Sequence, residues 1–139
     1  MFKNILLAID GSDNASRAAK LAGDLARETK ANLWLVTAFD PVPSYLGEPN
    51  FQQAVNSRLE AAGAILKAAL QDVGKIPGEL KTEILEGPAA EAILKVVKTR
   101  QNDLIIMGSR GLGTLSIILL GSQSLKVLHH APCPVLVIP

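Results

Sequence analysis

Ile5-Leu6-Leu7-Ala8-Ile9-Asp10-Gly11-Ser12 is an unbroken apolar run that ends abruptly in a polar turn. A strand with one solvated face alternates apolar and polar residues, whereas an unbroken run suits a strand covered on both faces, as in a parallel sheet between helices. Gly11 breaks the run, and Ser12 or Asp13 can cap a helix that follows. In that helix Ala15, Ala18, Ala19, Ala22, Leu25 and Ala26 fall on one face, with Arg17, Lys20, Asp24 and Arg27 mostly elsewhere. The first thirty residues therefore read as strand, turn and helix.

The alternation continues along the chain. Asn32 to Ala38 is a second strand, and Pro41, Pro43, Gly47 and Pro49 mark residues 40–50 as a loop. Phe51, Val55, Leu59, Ala62, Leu66, Leu70 and Val73 trace the inner face of a long amphipathic helix, closed by Gly74 to Gly78. Lys81 to Glu86 alternates, as expected of a strand nearer a sheet edge. Pro88 fits the first turn of a third helix, where its missing N–H costs nothing, with Ala89, Ile93, Val96 and Val97 inward. Asp103 to Met107 has a fully apolar strand core. Ser122 can cap a short last helix through His130, stopped by Pro132, and Pro134 to Ile138 is the final strand. Five strands alternating with helices imply one α/β domain over residues 1–139, with a parallel sheet, helices on both faces and right-handed crossovers.

Composition agrees. The 139 residues suit a single domain, and 48% of them are apolar. Aromatics supply only 4%, so Ile, Leu, Val and Ala must fill the core. Fourteen basic against 13 acidic side chains argue against a generic nucleic-acid binder but leave room for a local nucleotide site. The single cysteine, Cys133, excludes an intramolecular disulfide and multi-cysteine metal patterns. Within Pro-Cys-Pro it reads as a small buried hydrophobe or, alternatively, as a redox thiol. The opening apolar run is too short for a signal-peptide core, and no stretch reaches the ~20 residues of a membrane span. The expectation is a soluble cytoplasmic protein without membrane contact.

In an open α/β sheet, ligands sit beyond the C-terminal strand ends where the strand order reverses. For the order 3-2-1-4-5 this point lies between the first and fourth strands. The exits there are Asp10-Gly11-Ser12 and Gly108-Ser109-Arg110-Gly111. The second exit runs on to Gly121-Ser122-Gln123-Ser124. Glycines allow backbone N–H groups to approach an anion closely, and a helix starting near Ser122 adds unpaired N–H groups. Ser122 and Ser124 can donate hydroxyl hydrogen bonds, and Arg110 supplies a charge. The segment reads equally as a phosphate cradle or as a glycine-rich connector. It is neither a Walker A loop, since no Lys follows Gly121, nor the dinucleotide fingerprint.

These residues resemble the universal stress protein family over essentially the whole chain. Ile5 to Ser12 is similar to that family's first strand and its acidic end, and Val127 to Val137 to its last helix and strand. Its ATP-binding members carry Gly, two residues, Gly, nine residues, Gly and then Ser or Thr; Gly108, Gly111, Gly121 and Ser122 meet every spacing. The resemblance implies a Rossmann-like fold of the adenine nucleotide alpha hydrolase type, with five parallel strands in the order 3-2-1-4-5. It implies ATP as ligand, with Mg²⁺ as an accompanying ion, and a role in stress responses. It places Asp10 on the ribose hydroxyls, with a bland alternative as part of the Asp-Gly-Ser turn. Ala8, Ile9 and Ala38 would lie near adenine or sugar, with Met107 beside them. Gly108, Ser109, Arg110 and Gly111 would wrap ribose and phosphates, and Gly121, Ser122, Gln123 and Ser124 would hold the phosphates. It also implies a homodimer through Val135 to Ile138; the alternative is a simple sheet edge, but an exposed apolar edge is an aggregation hazard, so a pairing partner is physically sensible.

One departure stands out. Leu112 to Leu120 (Leu-Gly-Thr-Leu-Ser-Ile-Ile-Leu-Leu) has no basic residue, where family members often place one. Phosphate binding would then rest on N–H groups, hydroxyls, Arg110 and a cation. The apolar run Leu115 to Leu120 either covers its own core or packs on another subunit in a higher oligomer. Phosphoryl transfer needs a metal-holding carboxylate and a positioned nucleophile, and Asp10 is the only obvious acid. His129 and His130 fit the negative end of the last helix. Binding is therefore expected rather than turnover, with slow ATP hydrolysis at most and no catalytic or metal-ligating residue assigned. The alternative is a dimeric interaction protein with a weak or vestigial nucleotide site. A phosphoacceptor receiver domain fits poorly, because Asp10 has no adjacent acid and the third strand ends in Glu86-Gly87-Pro88.

Overall fold

A computed structural model describes residues 1–108 and 122–139. The elements run β1 (Asn4–Ala8), α1 (Asp13–Thr29), β2 (Asn32–Phe39), α2 (Asn50–Val73), β3 (Leu80–Glu86), α3 (Ala89–Arg100), β4 (Leu104–Gly108), α4 (Ser122–His130) and β5 (Val135–Ile138). A single 3-10 turn, Ser44–Leu46, interrupts the expected loop. All four strand pairings are parallel and the order is β3-β2-β1-β4-β5, as the sequence led us to expect.

The unbroken apolar runs are explained by two cores sharing one sheet. Ile5, Leu7 and Ile9 point into a cluster with Ala15, Ala18, Ala19 and Ala22 of α1 and Leu66, Ala69 and Val73 of α2. Leu6 and Ala8 point the other way, into a cluster with Ile93, Val96 and Val97 of α3 and Val127 of α4. β4 divides likewise, with Leu104 and Ile106 on one side and Ile105 and Met107 on the other. Each fully buried Ile or Leu contributes about 1.5–3 kcal/mol, so a polar residue anywhere within 5–9 or 104–107 would damage one core or the other.

Helix contacts are equally specific. The alanine stripe of α1 lets it lie close to the sheet, and Gly23 lets it touch the end of α2: a Cβ built there would stand 2.3 Å from the Val73 carbonyl oxygen. Arg27 fastens the same junction, donating from Nη1 to the carbonyls of Val73 (2.8 Å) and Lys75 (2.9 Å). At the base of the sheet the Asp103 carboxylate accepts from the backbone N–H groups of Lys3 (2.8 Å) and Asn4 (3.0 Å). The Trp34 indole donates to Glu83 (3.0 Å) and carries the Arg100 guanidinium 4.4 Å from its ring centroid.

One expectation needs amending. The periodicity placed Leu59 on the inner face of α2, yet it is 40% exposed, and the buried residues of this helix begin at Ala62. Twenty-four helical residues rise about 36 Å, whereas the eight of β2 span roughly 26 Å. The first turns of α2 therefore overhang the sheet and have no strand beneath them. Among the described residues no helix is long and apolar enough to cross a membrane.

Candidate functional site

The order β3-β2-β1-β4-β5 reverses direction between β1 and β4, so the crossovers leave β1 and β4 toward opposite faces and a crevice opens at their C-terminal ends. Asp10 stands at this point. Its Oδ1 accepts the backbone N–H of Ser12 at 3.0 Å, closing a turn in which Gly11 adopts φ +85°. The turn reading of Asp10 is thus realised in the structure, while its second carboxylate oxygen makes no hydrogen bond within the described residues. Ser12 occupies the N-cap of α1 in extended conformation without a side-chain capping bond, and its Oγ is buried with no partner among the described residues.

Beside Asp10 lies a cavity of about 340 Å³. Its wall comes from the ends of β2 and β3 and from the first turns of α3 and α4: Ala38, Phe39, Asp40, Pro88, Ala89 and Gln123, with Gly87 between. The Gly87 N–H donates to the Phe39 carbonyl (3.1 Å), fixing one exit loop against the other. From α2, Arg58 Nη1 donates to the Asp40 carbonyl oxygen and anchors the loop after β2. The volume lies at the small end for ligand pockets, which run from about 300 Å³ upward. The described lining combines an apolar wall with two carboxylates and no cation.

The sequence-derived site residues separate into three groups. Asp10, Ala38 and Gln123 line the cavity together. Ala8, Ile9 and Met107 are 1% exposed or less, and their side chains belong to the two cores, so only their backbone is available to a ligand. Gly108 closes β4, where a Cβ would lie 2.8 Å from that of Asn14 on α1; only glycine lets the strand end pass beneath this helix. Ser109, Arg110, Gly111 and Gly121 lie outside the described residues, as does the run Leu112 to Leu120.

The first turn of α4 is more finely arranged than its sequence suggests. Gln123 turns its side chain toward α3, where Oε1 accepts the backbone N–H of Ala90 at 2.8 Å. It thereby caps a helix whose own N-cap, Pro88, offers no side-chain bond. Ser124 is fully buried, and its Oγ has no partner among the described residues. An orphaned buried hydroxyl costs about 1–3 kcal/mol, so a group that satisfies it binds with that much advantage. Two such hydroxyls, Ser12 and Ser124, stand in the first turns of the two helices at the switch point. Sequence reasoning missed Phe39, Asp40, Gly87, Pro88 and Ala89. They follow the ends of β2 and β3, and the order 3-2-1 was the available signal that these exits abut Asp10.

His129 and His130 lie at the far end of α4, exposed, with ring centroids 6.4 Å apart. Cys133 is half-buried; burial, and secondarily the Asp103 carboxylate, push its thiol pKa up. A raised pKa leaves less thiolate at neutral pH and favours the structural reading of this residue over the redox one.

Comparison with known proteins agrees with the fold. A universal stress protein of Thermus aquaticus is 49% identical over 138 residues, covering 99% of both chains. The structure of UspA from Lactobacillus plantarum superposes with TM-score 0.80 at 31% identity, covering 99% of this chain and 98% of that one. The structure of hypothetical protein MJ0577 gives TM-score 0.83 at 30% identity, covering 99% and 96%. Three universal stress proteins share the fold at 20–24% identity and were solved in complex with cAMP, dAMP and, from Arabidopsis thaliana, AMP. The universal stress protein family model matches residues 1–139. With the family model matched along the whole chain and close relatives covered almost end to end, the chain belongs to the universal stress protein family.

Proposed function

We propose that this protein binds an adenine nucleotide, ATP with Mg²⁺, in the switch-point crevice and acts as a cytoplasmic regulatory module of the stress response rather than as an enzyme. The observation that carries the reading is the cavity beside Asp10. Ala38, Phe39, Pro88 and Ala89 offer the apolar wall that a purine ring needs, and the second oxygen of Asp10 is available to ribose hydroxyls. Asp10 and Asp40 repel phosphate, so the phosphates extend away from the cavity toward the first turn of α4. There Ser122, the Ser124 hydroxyl and the free N–H groups of the helix receive them, together with Gly108, Ser109, Arg110, Gly111 and Gly121 of the glycine segment. Mg²⁺ would offset the charge that Arg110 alone leaves. Relatives of the same fold solved with cAMP, dAMP and AMP support an adenine nucleotide as the ligand class.

The same reading includes a homodimer through β5. This strand is the sheet edge beside β4, with Leu136 37% exposed. On α4, Leu125 (43%) and Leu128 (37%) are exposed on the flank opposite Lys126 and His130, which face α3. An apolar edge strand with an apolar helix flank is suited to antiparallel pairing with a second copy.

The test is mass spectrometry of whatever leaves the purified protein on denaturation, paired with melting curves in ATP, ADP and AMP. A bound adenine nucleotide, or a rise in Tm that saturates with nucleotide, is expected. Absence of saturable binding at millimolar ATP removes the reading. It would leave the second one, a dimeric interaction protein with a vestigial site, which the lack of any cation in the described cavity lining favours.

A further inference from the structure

The broadest cavity described lies on the other side of the α3–α4 wall, away from Asp10. It is a trough of about 610 Å³ between α3 and α4, with half-buried Leu94 on its floor beside buried Ala90, and Lys95, Lys98, Lys126 and His130 along its rims. Glu91 is the one carboxylate lining it. Net charge does not explain this cluster, since the whole chain carries a formal charge of only +1. Helix dipoles explain only part of it. Lys98 and His130 occupy last turns, where cations are favoured, but Lys95 and Lys126 sit in mid-helix. The ion pairs among the described residues are Arg27–Asp24 and Lys81–Glu79, so none of the three trough lysines is neutralised by a neighbouring carboxylate.

We propose that the α3–α4 trough is a docking surface for an acidic amphipathic segment of a partner protein. Lys95 and Lys98 on one rim and Lys126 on the other would pair with its carboxylates, while an apolar side chain of the segment covers the exposed part of Leu94 and the lysine stems. The spacing suits such an occupant, because Glu91, Lys95 and Lys98 fall along one face of α3, and Lys126 and His130 are four apart on α4. Nucleic acid is disfavoured by the chemistry of the trough. Its one aromatic ring is the His130 imidazole, it carries lysines rather than the forked guanidinium preferred for phosphate, and Glu91 repels a phosphate backbone. Lysine stems also offer apolar surface of their own, which extends the small apolar floor at Leu94. The Gln123–Ala90 hydrogen bond ties the two walls together at the N-terminal ends of both helices.

The test is a titration of the isotope-labelled full-length protein, without nucleotide, with a synthetic peptide bearing Glu and Leu at helical spacing. Amide shifts are expected to saturate and to concentrate on 90–98 and 126–130, with binding that weakens as salt rises. Lys98→Glu combined with Lys126→Glu should weaken it by about tenfold or more, while Lys20→Glu on the opposite face of the molecule leaves it unchanged. The variants' melting curves verify that they remain folded. Non-saturating shifts, equal weakening by Lys20→Glu, or tighter competition by a single-stranded oligonucleotide than by the peptide would overturn the assignment. None of these outcomes depends on whether the crevice beside Asp10 binds nucleotide, since its ligand is absent throughout.

Discussion

Gly23 and Gly63 both lie inside α-helices, and the structure predicts opposite consequences when each becomes alanine. In an exposed helix interior, replacing glycine by alanine stabilises by about 0.8–1 kcal/mol, because alanine restricts the unfolded chain and loses nothing in the helix. A Cβ at Gly63 meets no atom within 4 Å, so Gly63→Ala should show this gain undiminished. At Gly23 the added Cβ meets the carbonyl oxygen of Val73 at 2.3 Å, its carbon at 3.0 Å and its Cα at 3.1 Å. All three are backbone atoms at the end of α2, and that same carbonyl accepts from Arg27. No side chain can swing aside, so α1 and α2 must separate by about an ångström, with disturbance of the Arg27 bond. Overpacking of this kind costs roughly 1–3 kcal/mol, and a backbone clash belongs at the upper end. Subtracting the propensity gain leaves about 2 kcal/mol of net destabilisation. For a chain of 139 residues, 1 kcal/mol moves Tm by about 3–4 °C. Gly63→Ala should therefore melt about 3 °C above the wild type and Gly23→Ala about 7 °C below it. Differential scanning calorimetry on the three proteins at one concentration decides the matter. If Gly23→Ala melts at or above the wild type, the close approach of α1 and α2 is not what requires glycine there, and the reasoning fails.

Removing the acceptor in Gln123→Ala leaves the buried Ala90 N–H unpaired at a cost of about 1–2 kcal/mol; hydrogen exchange at Ala90 should accelerate. Gln123→Glu keeps an acceptor at the positive end of α3 and should retain most of the stability, so equal losses in both variants would discount the capping bond. Asp10→Ala should weaken adenine nucleotide binding by about tenfold or more in calorimetric titration. Its Tm should fall by less than about 4 °C, as expected for one local turn bond; unchanged affinity would remove Asp10 from the site. For Cys133 the thiol pKa is higher in the folded than in the unfolded chain. Stability is therefore unaffected at neutral pH and declines once pH passes the ordinary thiol range of about 8.5, where only the unfolded chain releases the proton. Denaturant midpoints of wild type and Cys133→Ala should diverge in the alkaline range and not below it, and iodoacetamide should alkylate the native thiol more slowly than free cysteine.

The fold was legible because its signals are local and redundant. Runs such as Ile5 to Ile9 need cover on both faces, the alanine stripe of α1 has helical period, and most connections carry a glycine or proline, the exceptions turning at Lys30 and Gln101. What escaped was set by length and by neighbours distant in sequence. The pattern of α2 is amphipathic throughout, and only the shorter strands reveal that Leu59 has nothing beneath it. The candidate site was half legible. Asp10 and the glycine spacing mark the crevice, but Phe39, Asp40 and Pro88 enter it only because β2 and β3 end beside β1. Gln123 has a second role that its position in Gly-Ser-Gln-Ser does not reveal: its Oε1 accepts the N–H of Ala90, a partner 33 residues away.

The two edges of the sheet differ in a way that governs stoichiometry. β5 presents Val135, Leu136, Val137 and Ile138, whereas β3 presents Lys81, Glu83 and Glu86 along its length. Strand addition at the first edge is favourable, and at the second it would bury charges without partners. Growth by edge pairing therefore has one point of entry per chain. A copy joined there by twofold symmetry uses up both apolar edges and leaves charged strands at the ends of the joint sheet. In the proposed dimer the charged β3 edges would act as chain terminators, so association through β5 would not seed a fibre.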